Sequence, residues 1–160
     1  MSVTDDQDGV SGSTNRAPKP AERRRARVMA LQALYQRHMA KAAVSQIEAE
    51  FRVDNDMSNV DLPYFQDLLR GVDRHQSELD QVLQPYLDRP IHEVDPIELC
   101  ILRLGAYELK HRIDVPYKVV LNETIELAKR FGGTEGHKYV NGILDKLSQR
   151  IRIVEARAGR

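Results

Sequence analysis

Apolar residues recur at helical spacing along the whole chain, and no stretch keeps a period-two alternation. Val28, Leu31, Tyr35 and Met39 fall at steps of three and four, with Ala42 extending the stripe, and predict a first helix. Ser45-Gln46-Ile47-Glu48 has the form of a capping box and opens a short second helix with Val44, Ile47 and Phe51 on its apolar side. After the polar stretch "VDNDMSN", Asp61 is placed to cap a third helix carrying Leu62, Phe65, Leu68, Leu69 and Val72. A related segment continues past Gly71 with Leu79, Val82, Leu83 and Tyr86. It stops around "PYLDRP", where Pro85 and Pro90 mark the expected boundary between two halves.

The second half opens on Asp95-Pro96-Ile97-Glu98, a cap, a helix-opening proline and an acid three residues on. The segment behind it, "IELCILRLGAYEL", is apolar around most of its circumference, which predicts a helix in the middle of a bundle. "DVPYK" opens the next helix, with Val120, Thr124, Leu127 and Phe131 along one side and Gly132-Gly133 as its stop. Thr134 starts the last helix, which buries Val140, Ile143, Leu144, Leu147 and Ile151. The fold class expected is all-α, with about seven helices in two small packed bundles. The expected organisation is a disordered leader over 1–18, an N-terminal helical subdomain over 19–88, a C-terminal one over 89–155, and a flexible tail over 156–160.

Composition narrows the chemistry. A 160-residue chain that is 41% apolar can bury a core, which the absence of tryptophan makes aliphatic. The one cysteine, Cys100, forms no internal disulfide, fits a reducing cytosol, and reads as a small core residue. No apolar run approaches the roughly 20 residues of a membrane span, and the N-terminus lacks the apolar core of a signal peptide. The five histidines show no paired metal-ligand spacing, so no metal or cofactor is expected. "FGGTEGHKY" fails as a phosphate loop: its lysine does not directly follow a glycine and no strand precedes it. Carboxylates sit on helix faces and caps, and no enzyme is expected.

Charge carries the sharper signal. The chain holds 24 bases and 24 acids, yet the signs are segregated. Residues 19–52 hold eight bases against three acids, 54–98 three against eleven, and 103–160 twelve against seven. The blocks imply either two oppositely charged surfaces or ordinary mixing on folding. Lys19, Arg23, Arg24, Arg25 and Arg27 gather at a helix start, where cations oppose the helix dipole at a cost of a few tenths of a kcal/mol each. A phosphate would relieve that cost. At the start of the last helix, His137, Lys138 and Tyr139 combine helix-start amides, a cation and a ring, a set suited to a phosphate and an unpaired base. No recognition helix with base-reading polar residues is evident, which favours single-stranded RNA over duplex DNA.

"ERRRARVMALQALYQ", "YFQDLLRGV", "PYLDRP", "ELCILRLGAYEL", "DVPYKVVLNETIELAKRFG" and "HKYVNGILDKL" resemble, in order and spacing, the NusB family of bacterial transcription antitermination factors. The resemblance spans roughly residues 19–152. It implies an all-α protein that binds boxA RNA together with the ribosomal protein NusE, and that joins other Nus factors on RNA polymerase at ribosomal RNA operons. Residue by residue, it implies that Lys19, Arg23, Arg24, Arg25 and Arg27 hold RNA phosphates, and that Tyr86, Glu98, Lys138 and Tyr139 lie on or beside the RNA path. Tyr35 and the face around Glu98 would lie near NusE; Tyr35 reads equally as core packing and Glu98 as part of a cap. The chain departs from the family pattern in its leader, residues 1–18, and at Glu135, where a shorter acid is expected. Two other readings stand beside this one: a homodimeric protein scaffold, and a stand-alone relative of the helical accessory domain of RNA cytosine methyltransferases.

Overall fold

A computed structural model describes residues 19–133 and 135–158; the expected leader over 1–18, Thr134 and residues 159–160 lie outside the described residues. The described chain forms α1 (Pro20–Ala40), α2 (Val44–Asp54), α3 (Leu62–Arg74), α4 (Gln76–Leu83), α5 (Pro96–His111), α6 (Tyr117–Phe131), α7 (Gly136–Ile151) and α8 (Ile153–Ala158). Two short 3-10 turns, Gln84–Tyr86 and Ile91–Glu93, fill the stretch between α4 and α5, and no strand occurs among the described residues. The protein is all-α.

The apolar segment of the second half becomes the axis. Every residue of α5 from Leu99 to Leu109 is buried, and the helix touches α1, α3 and α4 as well as α6 and α7. Cys100 lies within it, its thiol pushed up to about 11 by burial, which leaves it without thiolate character. Two close approaches seat the neighbours. A Cβ on Gly71 would lie 2.2 Å from Cζ of Tyr107, and one on Gly105 would lie 2.6 Å from Cδ1 of Leu144. The first glycine brings α3 onto α5, and the second brings α7.

Caps follow the sequence in part. Asp61 accepts the Tyr64 amide at 3.1 Å, and Asp95 accepts the amides of Ile97 and Glu98, each at 3.1 Å. The expected capping box at Ser45 does not form: α2 begins two residues earlier than that cap requires, and its N-cap, Ala43, has no side-chain bond. Glu48 instead receives Nε and Nη2 of Arg70, both at 2.7 Å, because a charge-assisted fork across α2 and α3 is the stronger partner. The start of α6 is capped from a distance, where Glu155 of α8 accepts the Tyr117 amide at 2.8 Å. Helix α8 runs to Ala158 and buries Ala156.

The buried face of α1 differs from the predicted stripe. It consists of Ala26, Arg27, Ala30, Leu31, Ala33 and Leu34, whereas Met39 is exposed and Val28 and Tyr35 are half-buried. Alanines let α1 approach closely, and an arginine lies among them. The Arg27 side chain is 4% exposed and its Glu108 partner wholly buried. Nε and Nη2 of Arg27 donate to the two carboxylate oxygens of Glu108 at 2.9 and 2.8 Å, and the Tyr64 hydroxyl donates to the same carboxylate. Glu123 of α6 stands 3.5 Å from Arg27 Nη1. Burial alone pulls the Arg27 pKa down, but the hydrogen bonds and charge of Glu108 outweigh it and the net shift is upward. Burial, and then the Glu108 charge, push the Tyr64 hydroxyl up, so it stays a donor.

Two contrasting pairs of substitutions test this packing. Gly71→Ala lowers the unfolding free energy by about 2 kcal/mol or more, because the Tyr107 ring is buried and its hydroxyl is held by Asp67 at 2.9 Å. Gly142→Ala, in α7 with open space at its Cβ, raises it by about 0.5–1 kcal/mol, both changes being read by urea titration. Arg27→Ala strands the Glu108 carboxylate and costs about 3–5 kcal/mol. Arg24→Ala, at a largely exposed side chain, changes unfolding by less than about 0.5 kcal/mol.

Candidate nucleic-acid interface

The first turns of α1 have no side-chain cap; Pro20 occupies the opening position and Glu22 supplies the only acid there. Successive residues on a helix point about 100° apart, so neighbouring arginines diverge around the axis. Arg23 points to α3, with Nε 3.4 Å from Asp61 and its guanidinium 4.2 Å from the centre of the Tyr64 ring. Arg24 points to α6 and meets Glu123 at 3.1 Å through Nε, which leaves its terminal nitrogens at the surface with the side chain 64% exposed. Arg25 is exposed and donates Nη1 to the Asn59 carbonyl at 3.0 Å. Lys19 is exposed. Arg27, expected among the phosphate-holding residues, is buried in its bond to Glu108 and so drops out of the set.

A groove runs along the α1–α6 contact beside these arginines. Near the helix starts it encloses about 500 Å³ between Pro20, Arg24, Pro116 and Asn122. Farther along, a second hollow of about 410 Å³ lies between Arg24, Val28, Glu126 and Arg130. The two share Arg24, Arg27 and Glu123. Guanidinium groups line the groove along its length together with the carboxylates of Asp114, Glu123 and Glu126.

The start of α7 forms a second cluster. Lys138 is 69% exposed and 3.2 Å from Glu135. Tyr139 is half-buried and donates its hydroxyl to Asp88 at 3.0 Å, while Arg89 lies 5.0 Å from its ring centre. The Arg89 and Tyr139 bonds hold the Asp88 carboxyl down at about 2, and burial and then Asp88 raise the Tyr139 hydroxyl. Glu98 lies against Gly136, its carboxylate oxygen 3.2 Å from where a Cβ would stand. Burial, and then the neighbouring Asp95 charge, raise its pKa.

The expected helix-start amides are mostly taken. Gly136 donates to the Gly133 carbonyl at 3.0 Å, and Lys138 and Tyr139 donate to that of Glu135 at 3.2 and 3.3 Å. An acid already faces this helix start, so the amides are a poor phosphate cradle and the side chains carry what the cluster offers. Asp88 and Arg89 were missed as site residues in the sequence; their signal was the "LDR" of "PYLDRP", an ion pair within a turn. Tyr86, in that same turn, packs half-buried against the core and lines a hollow of about 460 Å³ with Leu147 and Arg150. Tyr35 packs half-buried against the core in α1.

The two clusters share no side-chain contact among the described residues. Arg24 meets α6 at Glu123, and α7 begins beyond Phe131; eight residues of helix, roughly 12 Å, lie between those points. The α1–α6 groove, with Arg130 at its far end, spans that interval.

The segregated charge blocks interleave on folding, through five ion pairs between blocks and one, Asp88–Arg89, within the acidic block. Asp61, Asp67, Asp73, Glu78, Asp80 and Asp88, six of the eleven acids between 54 and 98, pair with Arg23, Arg112, Arg37, Lys110, Arg103 and Arg89. The acidic block is therefore no continuous anionic face.

A sequence profile of the NusB family matches residues 24–149. The transcription antitermination protein NusB of Marinobacter nauticus is 67% identical over 157 residues, covering 98% of this chain and 99% of that protein. Its counterpart in Pseudomonas syringae pv. tomato is 58% identical over 98% of both chains. Among solved structures, T. maritima NusB superposes with a TM-score of 0.73 at 29% identity, over 83% of this chain and 93% of that one. A chain from the crystal structure of the antitermination factors NusB and NusE in complex with dsRNA gives a TM-score of 0.73 at 23% identity, over 82% of this chain and 99% of that one, and shares the fold. With a profile match across most of its length and two-thirds identity to a relative from end to end, this chain belongs to the NusB family.

Proposed function

We propose that the protein is a cytoplasmic transcription antitermination factor that holds single-stranded boxA-type RNA along the α1–α6 groove. In this reading it acts with the ribosomal protein NusE, and through other Nus factors with RNA polymerase, on ribosomal RNA transcripts. The observation that carries the reading is the arrangement of Arg23, Arg24 and Arg25. Each is held by a local acceptor or ring; Arg23 and Arg24 line the groove near the helix starts, while Arg25 stands exposed on the same helix turn. Anchored guanidinium groups lose less side-chain freedom on meeting phosphate than free ones do. Relatives bearing the antitermination name, at up to 67% identity, support the biological role. No helix among the described residues is long and apolar enough to cross a membrane, which agrees with a factor working on nascent transcripts.

The grip is electrostatic at the start of α1 and the groove, where Lys19, Arg23, Arg24 and Arg25 neutralise phosphates. Tyr139 offers a ring at the start of α7, with Arg89 over one side and Lys138 beside it. Glu98 shapes this second cluster rather than contacting phosphate, since like charges repel. NusE completes the surface and adds selectivity.

Fluorescence anisotropy of a boxA-like RNA against a scrambled strand and a duplex, over a salt series and with or without NusE, tests the reading. Preference for the boxA strand, tightened by NusE, is expected. Arg24→Ala and Arg25→Ala each reduce the logarithmic salt slope by about 0.7, the value for one phosphate of a single strand. Equal binding to all three RNAs, unchanged by NusE, would overturn it. Tyr139→Ala weakens binding by about 1–3 kcal/mol at constant salt slope, whereas Tyr139→Phe keeps it, because a stacking platform needs the ring and not the hydroxyl.

A further inference from the structure

Histidines 36 positions apart in the sequence meet where α3 gives way to α4. His75 is the junction residue between these helices, Glu78 lies in the first turn of α4, and His111 ends α5. The His75 and His111 rings lie 4.3 Å apart, with Tyr107 stacked 5.1 Å from His111 on the core side. One nitrogen of each imidazole and one carboxylate oxygen of Glu78 lie within 4.8 Å of one another, and all three residues are half-buried.

From this arrangement we propose that His75, Glu78 and His111 form a binding site for a divalent zinc-like cation, which would pin the α3–α4 junction to the end of α5. Three features favour a metal over a stacked ring pair. First, His75 Nδ1 stands 3.0 Å from the Gly71 carbonyl, which can only accept. In the neutral ring the proton therefore sits on Nδ1 and the lone pair on Nε2, the orientation that an outer carbonyl imposes on metal-ligating histidines. Second, His111 Nε2 and Glu78 Oε1 are 3.1 Å apart, close to the roughly 3.3 Å between ligand atoms of a tetrahedral site with zinc bonds near 2.0–2.1 Å. Third, two imidazoles and a carboxylate are a donor set suited to zinc, with the fourth position left to water.

The competitor is Lys110, whose ammonium lies 2.7 Å from the same Glu78 oxygen and is 37% exposed. On metal entry, Lys110 swings into solvent, and the His111 proton passes from Nε2 to Nδ1. The histidine spacing gave no hint of this site, because the two histidines lie 36 positions apart and meet only through tertiary approach.

Titration calorimetry of the full chain, free of any added histidine tag, with Zn²⁺ alone tests the site. One Zn²⁺ per chain is expected, and Co²⁺ substituted for it should give a visible ligand-field spectrum. His75→Gln and His111→Gln each weaken Zn²⁺ binding at least tenfold, and Lys110→Ala strengthens it severalfold by removing the competing cation. Circular dichroism confirms folding, and Glu78→Gln, at a partly exposed side chain, carries the same expected loss should a histidine variant unfold. An absence of Zn²⁺ binding, or an affinity indifferent to His111→Gln and Glu78→Gln, would overturn the proposal.

Discussion

The arginine–glutamate pair at the centre of the molecule fixes where the rest of α1 can point. Arg27 comes from α1 and Glu108 from α5, while Tyr64 of α3 donates to the same carboxylate. Glu123 of α6 faces the guanidinium from the other side. Four helices are therefore tied through one ion pair. Replacing such a pair by well-packed apolar residues is often neutral, so its value lies less in net free energy than in register. An apolar side chain at position 27 tolerates small rotations and slides of α1. A bidentate fork with two bonds under 3 Å does not.

That constraint reaches the surface directly. With Arg27 turned inward, the residue one turn before it, Arg24, must emerge at the α1–α6 seam, and Arg23 and Arg25 must flank it on either side. Tyr64 links the two levels. Arg23 and Arg112 lie 4.2 and 4.6 Å from its ring centre, and its hydroxyl reaches the buried carboxylate below. The surface arginine and the buried one are thus read off the same aromatic ring. A helix start that carries four arginines within five residues is costly unless one is removed from the surface and the others given acceptors, and the structure does both.

The helices themselves were legible because burial on one face imposes a 3.6-residue period. The stripes of α3, α6 and α7 lie where the spacing put them, and the nearly all-apolar segment is the buried axis. The site was less legible, and for physical reasons. In α1 the buried face is made of alanines and an arginine, so hydrophobicity alone selected a neighbouring stripe that ends on an exposed Met39. Glu48 sat at a capping-box position but was claimed by Arg70 of another helix, a contact that no local pattern reports. Asp88 and Arg89 approach Tyr139 across half a hundred residues, and the histidine cluster joins the α3–α4 junction to the end of α5. Short-range rules find caps and faces; pairs formed only by tertiary approach stay invisible to them.

The same distinction explains how a chain of zero net charge can offer a basic surface. Net charge governs what a partner feels from afar, but at physiological salt an exposed charge is screened beyond about 8 Å. What an approaching phosphate meets is the local arrangement. Over the middle of the chain, opposite blocks fold onto each other: Asp73 to Arg37, Asp80 to Arg103, Asp67 to Arg112. At the start of α1 the matching is incomplete. Arg24 and Arg27 share the single carboxylate of Glu123, which Arg24 touches only through Nε, and Arg25 has a carbonyl in place of an acid. Glu123 lines the groove beside Arg24, and the terminal nitrogens of Arg24 are left at the surface. Folding therefore pairs much of the middle of the chain, while at the start of α1 Arg24 and Arg25 stay exposed.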